Sequence, residues 1–134
     1  MLMTRASEYA LLSLVSLATA TEPVDTETLA HDLGISKSFL AKVLQSLARQ
    51  GILKSYKGVN GGFELIQPKE KITILSIMEA AEGKSPAVFD CSPGLGNCPG
   101  EKESSCHIWP FINNLQGRID DFLAELTLAD ILEK

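Results

Sequence analysis

Three cysteines are the residues of this sequence with the most distinctive chemistry. Cys91, Cys98 and Cys106 are separated by six and seven residues, and the rest of the 134-residue chain contains no cysteine. An odd, clustered set argues against a closed disulfide framework and favours a metal or redox site in a reducing compartment. Thiolates are the usual ligands of iron–sulfur clusters, and a cluster that lacks one cysteine accepts another ligand.

Other chemistry remains open for these thiols. Structural zinc sites usually show shorter paired spacings than those found here, and two of the cysteines could instead form a disulfide on oxidation. His107 and Glu8 could each complete a metal site, although His107 also suits a helix surface and Glu8 could simply pair with Arg5. No acid is spaced to orient a Cys106–His107 pair, so we expect no enzyme.

The segment around the cysteines must be positioned by a helix that follows it. Residues 84–106 show no periodicity and are rich in Gly and Pro, which predicts a functional loop. From Ile108 onward, apolar residues step by three and four, as in a helix that pairs with a second helix. This seam, which predicts a homodimer, consists of Ile112, Leu115, Ile119, Phe122 and Leu126.

The N-terminal half predicts a helix-turn-helix motif. Residues 4–20 have helical spacing, and a short helix that begins after Asp25 ends at Gly34. A third helix then runs from a Ser36 cap to about Gln50. Two short helices joined by a tight turn that contains glycine are typical of DNA-binding proteins.

The third helix is predicted to be amphipathic. Its core stripe is Phe39, Leu40, Val43, Leu44 and Leu47. The opposite side carries hydroxyl, amide and cationic groups, which can position phosphates and read base edges. The candidate DNA contacts on this helix are Ser36, Lys37, Ser38, Lys42 and Gln45.

A glycine-rich hairpin is predicted directly after this helix. Residues 52–57 and 63–66 are strand-like, and residues 58–62 form the turn between them. A hairpin in this position is typical of a wing whose glycines let the backbone approach DNA closely. Its candidate contacts are Lys54, Tyr56, Lys57, Asn60 and Gly61.

Charge and hydropathy limit the class of protein. The net charge of −5 excludes a uniformly basic DNA-packaging protein, yet residues 37–57 carry five cations and no acid. No apolar run has the length of a membrane helix, and Glu8 argues against a signal peptide. We therefore expect a cytoplasmic protein with no membrane partner.

These patterns predict a mainly α fold with a small β-hairpin wing. The expected parts are a winged helix-turn-helix DNA-binding domain (1–67), a connecting helix (68–83), a cysteine-containing cluster-binding loop (84–106) and a dimerisation helix with a C-terminal tail (107–134). Two copies of such a domain suit a palindromic double-stranded operator.

The sequence also resembles the Rrf-type transcription regulators, the family that includes the iron–sulfur regulator IscR and the nitric-oxide-sensitive repressor NsrR. The resemblance covers essentially the whole chain. The matching segments are residues 8–11, 33–36, 39–47, the wing 57–65, the cysteine loop and the ending 127–132.

The resemblance implies a homodimeric repressor whose operator binding depends on a [2Fe–2S] or [4Fe–4S] cluster held by Cys91, Cys98 and Cys106. Within the family, the fourth ligand is either a histidine after the third cysteine or an acid of the first helix of the partner subunit. The familiar cysteine spacing is five and five, and the histidine usually lies further along, so Glu8 is favoured over His107. Lys57 stands where arginine is common in the wing. The alternative is a cluster-free or thiol–disulfide regulator of the same fold.

Overall fold

The computed structural model describes residues 3–88 and 107–133, so the three cysteines lie outside the described residues. The described chain is helical except for one antiparallel hairpin, which confirms the predicted fold class. Its elements are α1 (Arg5–Thr19), α2 (Thr26–Leu33), α3 (Lys37–Arg49), β1 (Leu53–Tyr56), β2 (Gly62–Leu65), a 3₁₀ turn (Lys69–Lys71), α4 (Ile74–Glu82), α5 (Trp109–Glu125) and α6 (Leu128–Leu132).

The helix ends follow local capping chemistry. The side chains of Thr4, Asp25, Thr73 and Thr127 accept hydrogen bonds from backbone N–H groups in the first turns of α1, α2, α4 and α6. Ser36 is the N-cap residue of α3, as predicted, but its side chain does not make the predicted capping hydrogen bond. Its hydroxyl instead lies 3.1 Å from that of Ser38.

One hydrophobic core joins the N-terminal and C-terminal halves. Helix α4, within the predicted connecting segment, packs against α1 and α3 and buries Ile77 and Met78 completely. The C-terminal helix α6 closes the same core, because Leu128 is fully buried and its N–H donates to the carbonyl of Ile72 at 2.9 Å. Residues 68–83 therefore belong to the body that carries the helix-turn-helix motif.

Phe39 does not belong to the core, contrary to the prediction from its spacing. Leu40, Val43, Leu44 and Leu47 are buried as expected, whereas Phe39 is 40% exposed. Its ring packs edge-on against Tyr9 of α1, with 5.4 Å between the ring centroids. In a helix each residue turns about 100°, so Phe39, one position before Leu40, lies at the edge of the apolar stripe.

Helix α5 carries two apolar stripes where the sequence predicts one seam. The inner stripe packs against the chain's own residues and includes Ile112, Ile119 and Leu123. Leu126, also assigned to the seam, lies just beyond the helix and packs against the core. The outer stripe includes Ile108, Phe111 and Phe122, each about 60% exposed. The predicted seam therefore mixes residues from two faces.

No helix among the described residues is long and apolar enough to cross a membrane.

Candidate nucleic-acid interface

The turn between α2 and α3 sets the geometry of the helix-turn-helix motif. Gly34 ends α2 with a φ of 69°, in the left-handed region that favours glycine. The N–H of Ile35 then donates to the carbonyl of Ala30 at 2.9 Å, and only residues 34–36 separate α2 from α3. This turn lets α3 begin with its polar side facing solvent.

Asp25 stabilises the start of α2. Its carboxylate accepts from the Thr28 N–H at 2.7 Å and from the Thr28 hydroxyl at 3.0 Å. These two hydrogen bonds hold the pKa of the Asp25 carboxyl below its usual range. Because the folded-state pKa is lowered, the contribution to stability is complete at neutral pH and is lost only as the pH falls below about 4.

The polar face of α3 is solvent-exposed along its length. Ser38, Lys42, Gln45 and Arg49 follow one another at intervals of four, three and four residues, which places their side chains on one side of the helix. Lys37 makes an ion pair of 3.9 Å with Glu27 of α2, but both side chains are more than 60% exposed, so the pair is weak. The exposed candidates of α3 are Ser36, Lys37, Ser38, Lys42 and Gln45, with Arg49 at the end of the same face.

The outer face of the hairpin combines cationic and aromatic groups with one acid. Lys54 lies opposite Glu64 in the register of the two strands. Its ammonium group lies 5.2 Å from the centre of the Tyr56 ring. The Tyr56 hydroxyl donates to Glu64 at 3.2 Å. Desolvation of the Tyr56 hydroxyl, together with the negative charge of Glu64 and the hydrogen bond to it, raises the pKa of Tyr56. Lys54 and Tyr56 are thus already engaged by neighbours within the wing.

The tip of the hairpin projects into solvent. Lys57 and Asn60 are exposed, and Val59 between them is fully exposed. Sequence reasoning did not single out Val59, because an isolated valine in a turn carries no signal of its own. At Gly61 a Cβ atom would crowd the backbone of Tyr56, Lys57 and Gly58, so the tight turn requires glycine.

A backbone bridge holds the wing against the helix-turn-helix motif. Val24, just before α2, pairs with Phe63 of β2 through two hydrogen bonds of 3.1 and 2.8 Å. Gly62 has a φ of 145°, and a Cβ there would lie 2.7 Å from the Asp25 nitrogen and closer still to the Val24 carbonyl group. The wing and α3 are therefore held in a defined relation on the same molecule.

The two candidates for a fourth metal ligand are both at the surface. Glu8 lies in the first turn of α1, and its side chain is exposed within the single chain. Its suggested partner Arg5 instead donates to the Tyr9 hydroxyl at 3.4 Å. His107 is exposed in the turn before α5. Within residues 3–88 and 107–133, no three His, Cys, Asp or Glu side chains form a group that could hold a metal ion.

A buried indole near the third cysteine tests whether its surroundings suit a sulfur-rich group. The Nε1 atom of Trp109, three residues after Cys106, is buried and has no hydrogen-bond partner among the described residues. Buried polar groups are normally satisfied, and hydrogen bonds to sulfur are among the interactions that tune iron–sulfur clusters. A donor of this kind beside a cysteine-rich segment fits a thiolate or sulfide acceptor.

Comparison with known proteins identifies the family. Residues 3–134 match the family model Rrf2, described as "Iron-dependent Transcriptional regulator". The chain belongs to the Rrf2 family of transcriptional regulators. It is 33% identical to a Mycobacterium tuberculosis protein named as an HTH-type transcriptional regulator, over 98% of this chain and 81% of that protein. It is 28% identical to the HTH-type transcriptional regulator IscR of Vibrio campbellii, over 99% of this chain and 78% of the relative.

Solved structures show the same fold. CymR, the global cysteine regulator of B. subtilis, superposes with a TM-score of 0.74 at 20% identity, over 99% of this chain and 97% of CymR. IscR of T. potens superposes with a TM-score of 0.72 at 21% identity, over 99% of this chain and 87% of IscR. Regulators of this Rrf2 family bind DNA, and the relatives are named as regulators, so the chain is a transcriptional regulator and not an enzyme.

Proposed function

We propose that this Rrf2-family regulator acts as a homodimeric repressor on a palindromic operator, and that an iron–sulfur cluster at Cys91, Cys98 and Cys106 controls its DNA binding. The observation that carries the DNA-binding part is the exposed polar face of α3, with the wing held beside it by the Val24–Phe63 bridge. A recognition helix enters a major groove, while the wing reaches the adjacent backbone.

The individual contacts divide into two groups. Lys42 on α3 and Lys57 at the wing tip are exposed and suit phosphate contacts. Gln45 lies on the same face as Lys42 and suits a base edge. Lys54 and Tyr56 interact with each other and with Glu64, so we assign them to shaping the wing and to secondary contacts.

Replacing Lys42 or Lys57 with alanine is expected to weaken operator binding and to reduce its dependence on salt. Each lost phosphate contact should lower the slope of log affinity against log salt by about one unit. Binding isotherms at several salt concentrations measure this slope. Lys69→Ala, an exposed lysine outside the helix-turn-helix motif and the wing, is the control and should leave the slope unchanged. Wild-type slopes in both Lys42→Ala and Lys57→Ala would contradict this interface.

The cluster part of the proposal rests on the three cysteines, the family match and the unsatisfied indole of Trp109. A bound cluster would supply a redox-sensitive centre that oxygen or nitric oxide can modify. The chain's own part is to provide thiolates, a fourth ligand and the surrounding hydrogen bonds. We assign the fourth ligand to Glu8 of the partner subunit, because its exposure in the first turn of α1 makes it available to a second chain.

Glu8→Ala is expected to shorten the lifetime of the reconstituted cluster at least about tenfold, since even outer partners of metal ligands contribute that much to affinity. His107→Ala is expected to keep the wild-type spectrum, because His107 directly follows Cys106, whereas the histidine ligand of the family usually lies a few residues beyond the third cysteine. Anaerobic reconstitution followed by absorption spectroscopy measures both. Glu22→Ala, another exposed acid, is the matched control. Loss of the cluster in His107→Ala alone would transfer the role to His107.

The same reconstitution distinguishes the alternative regulator. A wild-type protein that binds no iron under anaerobic conditions, but whose operator affinity changes when two cysteines are oxidised, is a thiol–disulfide regulator. Thiol counting by mass spectrometry before and after oxidation identifies that outcome.

A further inference from the structure

The side chain of Gln116 connects helix α5 to the segment that leads into the cysteines. Gln116 lies in the inner stripe of α5 and is only 8% exposed. Its carbonyl oxygen accepts from the Val88 N–H at 2.8 Å. Its amide nitrogen donates to the Pro86 carbonyl at 2.9 Å and to the Asp120 carboxylate at 2.8 Å. One buried side chain therefore satisfies two backbone groups of residues 86–88 and one carboxylate of its own helix.

A buried glutamine at this position lowers the stability of the fold unless its amide makes all of its hydrogen bonds. A buried amide without partners is unfavourable, and so is a buried backbone N–H or carbonyl that loses its partner. Residues 86–88 therefore cannot shift relative to α5 without either moving the Gln116 amide or leaving polar groups unsatisfied. Asp120, one turn further along α5, receives the second hydrogen of the same amide and limits how the side chain can reorient.

The position of this contact gives it a role beyond packing. Val88 lies three residues before Cys91, and Gln116 lies in the middle of the helix whose outer stripe carries Phe111 and Phe122. The contact therefore joins the segment that leads into the cysteines to helix α5. Control of DNA binding by a cluster needs these two parts to be coupled. We propose that Gln116 is the positioning residue through which the state of the cysteine segment is transmitted to helix α5. This inference rests on the proposed cluster-dependent control of DNA binding.

Operator affinity of the full-length protein, with and without a reconstituted cluster, tests the inference in wild type and in Gln116→Met. Allosteric coupling usually changes affinity by a factor of about 5–150, and we expect a wild-type ratio in that range. Methionine fills the space of glutamine but can neither accept from Val88 nor donate to Pro86. In Gln116→Met the ratio should fall to near one, while cluster content and cluster-free affinity stay close to wild type.

A purely structural role would give a different result. It would lower the melting temperature of the loaded and cluster-free forms alike and would leave the ratio of affinities unchanged. Hydrogen exchange provides a second measurement. Removing the cluster from wild type should speed exchange of the α5 amides around Gln116, and the same treatment of Gln116→Met should produce no further change. Asn113→Leu, a substitution of an exposed amide of α5, is the control and should behave as wild type.

Two further arms keep the test decisive. If Gln116→Met does not fold by circular dichroism, Asp120→Ala replaces it, because this change removes only the bond that orients the amide and should lower the ratio part-way. A wild-type protein with no cluster, or with a ratio of one, contradicts the proposed function and this inference with it. A wild-type ratio above five that persists in the folded variant contradicts the inference alone.

Discussion

Replacing Phe122 with glutamate is expected to convert the proposed dimer into monomers and to lower affinity for a palindromic operator by about 100-fold or more. Phe122 is 59% exposed on the outer stripe of α5, and Phe111, 11 residues earlier and therefore on the same side, is 64% exposed. An apolar stripe of this kind suits a second helix. In a dimer formed through this stripe, the carboxylate introduced by Phe122→Glu would be buried without a partner, which would strongly disfavour association of the two chains.

The loss of affinity follows from linkage of the two half-sites. When one half of a dimer binds, the second half is held at a high effective concentration, which typically strengthens binding by 10²–10⁴. Analytical ultracentrifugation and operator titration of Phe122→Glu and Phe111→Glu measure both effects. Asn113→Glu adds the same charge on an exposed position away from the stripe and should remain dimeric. Dimers of native size in both phenylalanine variants would place the interface elsewhere.

The structure also explains why the sequence predicts α5 but not its faces. Apolar residues that step by three and four indicate a helix, and the helix is present. Residues 112 and 119 are two turns apart and face the chain's own residues, whereas 115 and 122 are displaced from them by about 60° around the helix. A heptad pattern combines these two sets, because it reports only the spacing of apolar residues. It does not show whether the helix has one apolar face or two. Only the packing of α4 against α5 shows that one set is already used within the chain.

Local chemistry made other parts of the fold easier to predict. The start of α2 after Asp25 and its end at Gly34 occur where the residue types indicate, because each depends on a hydrogen bond or a φ value within a few residues. Phe39 was predicted to lie in the core because it is apolar and follows the helical spacing of the core stripe. Its exposure depends on the position of α1, which is distant in the sequence. Gln116 gave no signal at all, since its partners are 28 and 30 residues earlier in the chain.

Gly62→Ala is expected to destabilise the protein more than Gly58→Ala, the other added methyl group at a positive φ in the wing. At a φ of 145°, an L side chain is strained, and its Cβ would meet the backbone of Val24 and Asp25. Backbone on that side cannot move freely, because Val24 is bonded to Phe63 and Asp25 caps α2. The added methyl group must therefore separate the wing from the helix-turn-helix motif or distort the start of α2.

Gly58→Ala isolates the part of this cost that comes from the clash. Gly58 also has a positive φ, 98°, but no atom lies within 4 Å of a Cβ built there. Its substitution should cost about 1–2 kcal/mol from backbone strain alone. Gly62→Ala should cost about 1–3 kcal/mol more, the usual range for a side chain forced into filled space. Denaturant unfolding measures both values.

Because the displaced wing would no longer present Lys57 beside α3, operator affinity should fall about tenfold in Gly62→Ala and little in Gly58→Ala. Equal stability and equal affinity of the two variants would show that the wing does not depend on its contact with Val24.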